Sequence, residues 1–540
     1  MKILFTSVGR RIELMQAFRK AAELSGEKCV IYGVDISDSA PALNFCDKTE
    51  LVCRISEPEY IPSLLKICER EKIDALIPTI DTDLMLLSKH KADFESIGTK
   101  VMIGAPEKIA VCRDKRYTAD YFISCGLKSP VPVDNVEDYQ GGFPCFIKPK
   151  DGSSSINAYK VETREDLYTY AKQVDDYIIQ PFIEGIEYTV DIFCDYEGNP
   201  VYITPRIRTA VRGGEVLKTK IVQDETIKAE CRKLVADFKP SGGMTVQLIK
   251  QSSTGDNYYI EINPRFGGGA PLSIKAGADS ALALIRILKG EKLCEQDNAA
   301  TDGAVYSRFD QSVCTERGNV KPSDVKAVIF DLDDTLYSEK DYVKSGFKAV
   351  AAELKQVENA EQKLWDAFEN GKAAIDAVLK AEGVYTDELK NKCLDVYRTH
   401  TPEILMHEGT EKLLELLKNM NKKIGIITDG RPEGQWAKIH ALGLEDKVDE
   451  IIVTDELGGI QFRKPDDISF RIMQKKMNVH FENMMYIGDN YEKDFTAANQ
   501  LGIIPAAYIN KNGLYYREKN EKVHCEFESF DQIINWFEKE

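Results

Sequence analysis

No stretch of this 540-residue chain reaches the roughly 20 consecutive apolar residues of a membrane-spanning helix, so an integral helical membrane protein is excluded as the expected class. The first apolar run, Ile3 to Val8, is too short for the core of a secretory signal and flows into a periodic segment, which points to a first strand and a cytoplasmic protein. The thirteen cysteines, scattered from Cys29 to Cys525, contain no Cys-x-x-Cys pair, and the six histidines show no metal-ligand spacing beside them. Free thiols in a reducing compartment are expected. A net charge of -17 argues against a nucleic-acid partner, whose nonspecific affinity comes from clustered Lys and Arg. There is no internal repeat and no low-complexity tract.

What is present is the composition of a soluble globular protein, 43% hydrophobic and 29% charged. The length predicts three or four compact units at roughly 150 residues each. From Ile3 to about Gly104, strand-length apolar runs alternate with amphipathic stretches, the rhythm of an open parallel sheet with helical crossovers. Asp35 and Asp81 fall at the carboxyl ends of such strands, where these sheets collect ligands, although ordinary turn carboxylates fit those positions equally. Residues 105–315 turn to Gly-rich loops and β-rich runs such as Tyr188 to Phe193. Residues 316–325 read as a polar linker. From Lys326 a second series of buried-strand runs begins at Val328, Ile424, Ile451 and Met484, with a charged helical insertion at about 340–405.

In that second series, Val328-Ile-Phe-Asp331-Leu-Asp333 places two carboxylates at alternating positions directly after an apolar strand. Such a pair can gather Mg²⁺ while one carboxylate attacks phosphorus and the other moves a proton. An Asp-rich turn would explain the pair taken alone, but three further segments accompany it. Thr428 ends one strand in Thr-Asp-Gly, Lys464 offers a fixed cation, and Gly488-Asp489 to Asp494 adds carboxylates at the end of another. Together these segments resemble the four motifs of the haloacid-dehalogenase superfamily over about residues 326–510. That resemblance implies a Rossmann-like phosphatase with a helical cap. Asp331 would be the nucleophile, Asp333 the general acid and base, Thr428 and Lys464 the phosphoryl-binding pair, and Asp331, Asp333, Asp489 and Asp494 the Mg²⁺ group.

Upstream, Glu261 and Asn263 share one face of a strand, with Gln247 on an earlier strand, so oxygen donors converge on a hard cation. Arg265 follows as a planar fork for phosphate. Phe146-Ile-Lys148-Pro leads into Gly152-Ser153-Ser154-Ser155, a small-residue loop suited to phosphate oxygens, and Lys115 is a second candidate cation. Ile179 to Asp191 joins an apolar segment to a strand. In that order these segments resemble the ATP-grasp superfamily, most closely its carbamoyl-phosphate-synthetase-like and amino-acid ligase branches, over about residues 1–315.

The resemblance implies an α/β multidomain chain, with an open-sheet pre-ATP-grasp domain (1–104), an ATP-grasp domain of α+β type (105–315) and a carboxyl-terminal domain (326–540). It further implies that Lys115, Lys148 and Gly152 to Ser155 bind ATP phosphates, that Gln180 and Ile183 touch adenine and that Glu187 holds ribose. Gln247, Glu261 and Asn263 would hold Mg²⁺, for which Mn²⁺ can substitute, and Arg265 would steady an acyl phosphate. Arg206, Arg208 and Arg212 stand as anchors for an acceptor carboxylate. The expected whole is an ADP-forming carboxylate-amine ligase fused to a phosphomonoesterase. Its partners would be a small carboxylate, an amine and a phosphate ester, with no nucleic acid and no membrane; homo-oligomerisation is left open. The alternative is a phosphatase carrying an ATP-binding regulatory module.

Overall fold

The fold is that of a computed structural model, which describes every residue except 152–156, 316, 492, 517–522 and 540. It divides into two units, Met1–Ser312 and Val313–Glu540. The first unit opens with parallel strands β1 (Lys2–Thr6), β2 (Val30–Asp35), β3 (Lys48–Leu51), β4 (Ala75–Pro78) and β5 (Lys100–Val101), in the spatial order β3-β2-β1-β4-β5. Alternate residues of β1 enter opposite cores. Ile3 and Phe5 pack with Leu14 and Phe18 of helix Ile12–Leu24, and Leu4 packs with Leu64 and Ile67 of helix Tyr60–Glu71. Burial on both faces is why these strands read as unbroken apolar runs. The sequence reading placed no strand at β3, because Lys-Thr-Glu-Leu is a charged sheet edge without that signature.

A small antiparallel sheet follows, of β6 (Cys145–Pro149), β7 (Tyr159–Val161) and β8 (Tyr177–Pro181), ordered β7-β6-β8. The larger antiparallel sheet contains β9 (Gly185–Cys194), β10 (Pro200–Arg212), β11 (Glu215–Ile221), β12 (Gly242–Gln251), β13 (Asn257–Asn263) and β14 (Val305–Ser307), in the order β13-β12-β9-β10-β11-β14. Its register places a polar row across four neighbouring strands. Glu261 is opposite Gln247, Gln247 opposite Thr189, and Thr189 opposite Arg206. A second row runs Asn263, Thr245, Asp191, Thr204. Directly opposed residues share a sheet face, so the fold puts each row on one wall.

The second unit carries β15 (Ala327–Phe330), β16 (Lys423–Thr428), β17 (Glu450–Val453), β18 (Met484–Gly488), β19 (Ile504–Tyr508) and β20 (Cys525–Phe527) in one parallel sheet, ordered β17-β16-β15-β18-β19-β20. Between β15 and β16 stand helices Glu339–Glu353, Ala360–Glu369, Ala374–Ala381 and Asp387–Thr399, with a core of their own that includes Phe347, Val350, Leu364, Leu379 and Cys393. The stretch read as a linker attaches to this unit: Arg317 Nη2 donates to the Ile503 carbonyl at 2.9 Å, and Val325 is buried. Among the described residues, no helix is long and apolar enough to cross a membrane.

Candidate active sites

In the second unit, the central strand β15 and its neighbours β16 and β18 end side by side. Asp331 follows β15, Thr428 closes β16 and Asp489 follows β18, all at the carboxyl edge where a parallel sheet collects ligands. Lys464 is the hub. Its Nζ donates to Asp331 Oδ1 at 2.6 Å, to Asp494 Oδ1 at 2.7 Å and to the Tyr486 hydroxyl at 2.7 Å, with no solvent exposure. A buried carboxylate pair tolerates this placement because the ammonium lies between its members.

Asp331 Oδ1 is thus occupied, whereas Asp331 Oδ2 is buried without a hydrogen-bond partner. Oxygens of Asp331, Asp489 and Asp494 lie within 4.8 Å of one another. Burial, and then the neighbouring charges of Asp494 and Asp331, push the Asp489 carboxyl well above its ordinary range. Asp331 is pushed up to about 6 by burial, against the pull of Lys464 and Lys493. An orphaned oxygen and raised carboxyl groups, all hard donors, fit a divalent cation such as Mg²⁺. Gly488 is required here by space, since a Cβ would collide with the Asp494 carboxylate.

Asp333 stands apart from that group. Lys438 Nζ donates to its Oδ1 at 2.7 Å, Tyr337 OH to the same oxygen at 2.5 Å, and Gln435 Nε2 to its Oδ2 at 2.7 Å. Burial alone would raise this carboxyl, but Lys438 and these hydrogen bonds outweigh it and hold it below the usual range. The sequence reading put the Asp333 side chain among the Mg²⁺ donors. The structure turns it instead toward helix Pro432–Ala441, because that helix offers a cation and an amide at i, i+3 spacing. Gln435 and Lys438 were not singled out from sequence; that spacing after Thr-Asp-Gly was the signal available. Gln435 also donates to Thr428 Oγ1 at 2.5 Å, tying Thr428 to Asp333.

Lys464→Met is expected to cost about 3–5 kcal/mol, because it leaves two facing carboxylates buried without their cation. Tryptophan fluorescence during urea unfolding of the full chain reads this directly, since Trp365, Trp436 and Trp536 all lie in the second unit. Added Mg²⁺ should restore part of the midpoint.

In the first unit a cavity of about 710 Å³ is lined by Lys115, Lys148, Gln180, Ile183, Glu187, Arg206, Arg208, Gln247, Glu261, Asn263 and Arg265, so the register brings these residues to one wall system. Lys148 stands on β6, and Lys115 begins helix Lys115–Ser124. Burial, followed by the charge of Lys115, holds the Lys148 ammonium down at about 8, partly opposed by Glu261. Gln180 on β8 is buried, with Nε2 donating to the Pro130 carbonyl at 2.6 Å. Arg208 joins two of the expected residues, pairing with Glu187 and donating to Gln247 Oε1 at 3.1 Å. Arg265 Nη2 pairs with Asp81 at 2.6 Å. Gln247, Glu261 and Asn263 offer a hard oxygen set on paired strands, which suits Mg²⁺.

Arg212 is not brought to this cavity; it forms an exposed pair with Asp310 at 2.8 Å. The expected loop Gly152, Ser153, Ser154 and Ser155 lies outside the described residues. Sequence reasoning missed Arg11, Thr245 and Glu215, which also line the cavity. Their neighbours in sequence carry no phosphate-binding pattern; Thr245 and Glu215 come from β12 and β11, and Arg11 from the start of helix Ile12–Leu24, so only the tertiary fold gathers them.

Comparison with known proteins agrees with this division. Residues 3–102 match the family of PylC-like N-terminal domains, residues 173–311 the family of ATP-grasp proteins in the biosynthetic pathway with Ter operon, and residues 328–508 the haloacid dehalogenase-like hydrolases. Glyceraldehyde 3-phosphate phosphatase of Methanocaldococcus jannaschii is 30% identical over 198 residues, 33% of this chain and 83% of that protein. The large chain of carbamoyl phosphate synthase from Pseudomonas putida is 24% identical over 312 residues, 52% of this chain but only 29% of that protein. Among solved structures, N5-carboxyaminoimidazole synthetase of Staphylococcus aureus is 16% identical, with a TM-score of 0.44, covering 54% of this chain and 78% of that one. The chain belongs to the haloacid dehalogenase-like hydrolases through its carboxyl-terminal part, and its amino-terminal part contains the matches to PylC-like N-terminal and ATP-grasp domains.

Proposed function

We propose that the chain is a bifunctional enzyme, an ADP-forming carboxylate-amine ligase joined to a phosphomonoesterase. One observation carries each half. For the esterase it is the free, buried Oδ2 of Asp331 beside the Lys464 bridge; for the ligase it is the polar row from Glu261 to Arg206 facing a cavity that also holds Lys115 and Lys148.

In the esterase, Lys464 fixes Asp331 Oδ1, so Oδ2 is the oxygen presented to phosphorus. Attack forms an aspartyl phosphate and breaks the bond to the ester oxygen; the proton that oxygen needs enters with the phosphate monoanion and passes through Asp333, whose carboxylate is ionised before substrate binds. Asp333 then removes a proton from the water that hydrolyses the acyl phosphate and regenerates Asp331. Lys438, Tyr337 and Gln435 hold the Asp333 carboxylate in one position for both transfers. Thr428 and Lys464 offset phosphoryl charge. Asp331, Asp489 and Asp494 would hold Mg²⁺, which would supply Lewis-acid neutralisation of phosphate charge.

In the ligase, Lys115 and Lys148 receive the triphosphate, and Glu187 and Gln180, which line the same cavity, would hold the nucleoside. A carboxylate oxygen of the acid attacks the γ-phosphorus with release of ADP. Arg265 then steadies the acyl phosphate until an amine displaces phosphate. Gln247, Glu261 and Asn263 would hold the Mg²⁺ that accompanies ATP. The test is full-chain turnover of a chromogenic phosphate ester with Mg²⁺, and, separately, ADP release that depends on an added acid and amine. Absence of the first removes the esterase reading, and absence of the second across a broad panel removes the ligase reading.

The depressed Lys148 predicts a proton-linked step. An ammonium with its pKa at about 8 is mostly neutral above that pH, and an arriving triphosphate restores the charge, so binding takes up a proton there. Calorimetric titration of ATP at pH 8.5 in two buffers of different ionisation enthalpy should show that uptake. It should vanish in Lys148→Arg, which stays charged.

A further inference from the structure

The ligase cavity contains cationic groups that nucleotide binding does not use. Arg206 is only 2% exposed, yet it lines the cavity. Its Nε and Nη2 donate to Asp191 at 2.7 and 3.4 Å, and Asp191 is held in turn by Ser273 at 2.6 Å, but Nη1 is buried without a partner. A buried charged donor left unmade is costly, and its natural complement is an acceptor supplied from outside the protein. Thr245 Oγ1, in the adjacent row of the same sheet, is likewise buried and unpartnered and also lines the cavity.

The segment Gly267-Gly268-Gly269 runs beside these groups. A Cβ at Gly269 would collide with Arg206 Nη2, one at Gly268 would lie 2.7 Å from Arg11 Nη1, and one at Gly267 would lie 2.6 Å from Thr245 Oγ1. None of the three has a left-handed φ, so room rather than backbone freedom explains glycine here. The glycines therefore bring Arg11 and Arg206 to neighbouring points of one backbone floor. Arg11 is held below its usual range by burial first and by the charge of Arg265 next, which the Glu215 carboxylate, 3.6 Å from its Nη1, and Asp81 only partly offset, an environment that a further anion would relieve.

Arg206 lies three strands from Glu261 in the cross-strand row, about 14 Å from backbone to backbone. A carboxylate that rests on Arg206 is therefore too far along the row to be activated at the Glu261 and Asn263 end, where Mg²⁺ would be held. We propose that the acid substrate is at least dianionic: one carboxylate is activated beside Glu261 and Asn263, while a second carboxylate or phosphate docks between Arg11 and Arg206 over Gly267 to Gly269. This rests on the ligase reading.

Matched pairs test it on the full chain: glutarate against glutaramate, L-glutamate against L-glutamine, and O-phospho-L-serine against L-serine, the last pair separating a phosphate from a carboxylate. Kd is read by calorimetry with ATP present and KM by ADP release. The dianionic member of at least one pair should bind about tenfold or more tightly than its neutral-ended partner, the effect of one charge-assisted contact. Arg11→Gln should erase that ratio while leaving ATP affinity within about twofold, which shows that the fold is intact. Gly268→Ala, unstrained in its backbone but crowding Arg11, should do the same. Equal binding within every pair, binding by no dianion, or an unchanged ratio in both variants would overturn the proposal. Acid-dependent ADP release without any dianion preference sinks this inference and leaves the ligase standing. Dianion binding that depends on Arg11, with no ADP release by any acid, sinks the ligase and leaves the anion site standing.

Discussion

Asp331→Asn should lower phosphate-ester turnover by about four orders of magnitude or more, because on the proposed mechanism it removes the attacking oxygen and nothing else in the site can replace it. The amide is nearly isosteric, so Oδ1 can still accept from Lys464, and the change leaves the group of Asp489, Asp494 and Lys464 in place. Folding is therefore preserved, which thermal unfolding followed through the three tryptophans of this unit would verify. The same variant reads the relation between the two activities. A ligase alone releases one phosphate for each ADP, whereas a phosphatase that acts on the ligated product releases more. If Asp331→Asn returns a raised phosphate-to-ADP ratio to unity, the sites act in sequence. A ratio unchanged by the substitution would mean that they share a chain without sharing a substrate. Residual ester hydrolysis near the original rate would reject Asp331 as nucleophile.

The parts of these sites that were readable from sequence share a physical form: an unbroken apolar strand that ends in a carboxylate or a hydroxyl. Asp331 after Phe330, Thr428 after Ile427 and Asp489 after Gly488 each stand at the end of a strand buried on both faces, and a parallel sheet converts such endings into one edge. Alternation along β13 likewise gave the shared face of Glu261 and Asn263. What could not be read depends on register or on a helix face. Arg206 falls in one row with Gln247 only because β9 lies between β10 and β12, and no local pattern announces that order. The Asp333 carboxylate was assigned to the metal group because it is two residues from Asp331. Its partners Gln435 and Lys438 come from a helix about a hundred residues later, and they decide its direction. Arg212 shows the converse: arginines four and six residues earlier on β10 line the cavity, while Arg212 itself has passed beyond the cavity wall into an exposed ion pair.

Glu261→Ala is expected to lower acid-dependent ADP release by about 10²–10³-fold, the usual cost of losing one preorganised group at a transferring phosphoryl centre. The geometry makes this a clean substitution. Glu261 lies in the cross-strand row with Gln247, no intramolecular ion pair recorded for the described residues depends on it, and its backbone pairing with β12 survives truncation at Cβ. The loss should appear in kcat and in the Mg²⁺ concentration required, more than in ATP affinity, because Lys115 and Lys148 remain to receive the phosphates. The esterase provides the internal control. Its carboxylates and its lysine bridge belong to the other unit, so chromogenic ester turnover should be untouched. Equal loss of both activities would indicate that the substitution damages the whole protein. Loss of ATP binding with kcat retained would instead make Glu261 a nucleotide anchor, leaving Gln247 and Asn263 to carry the metal.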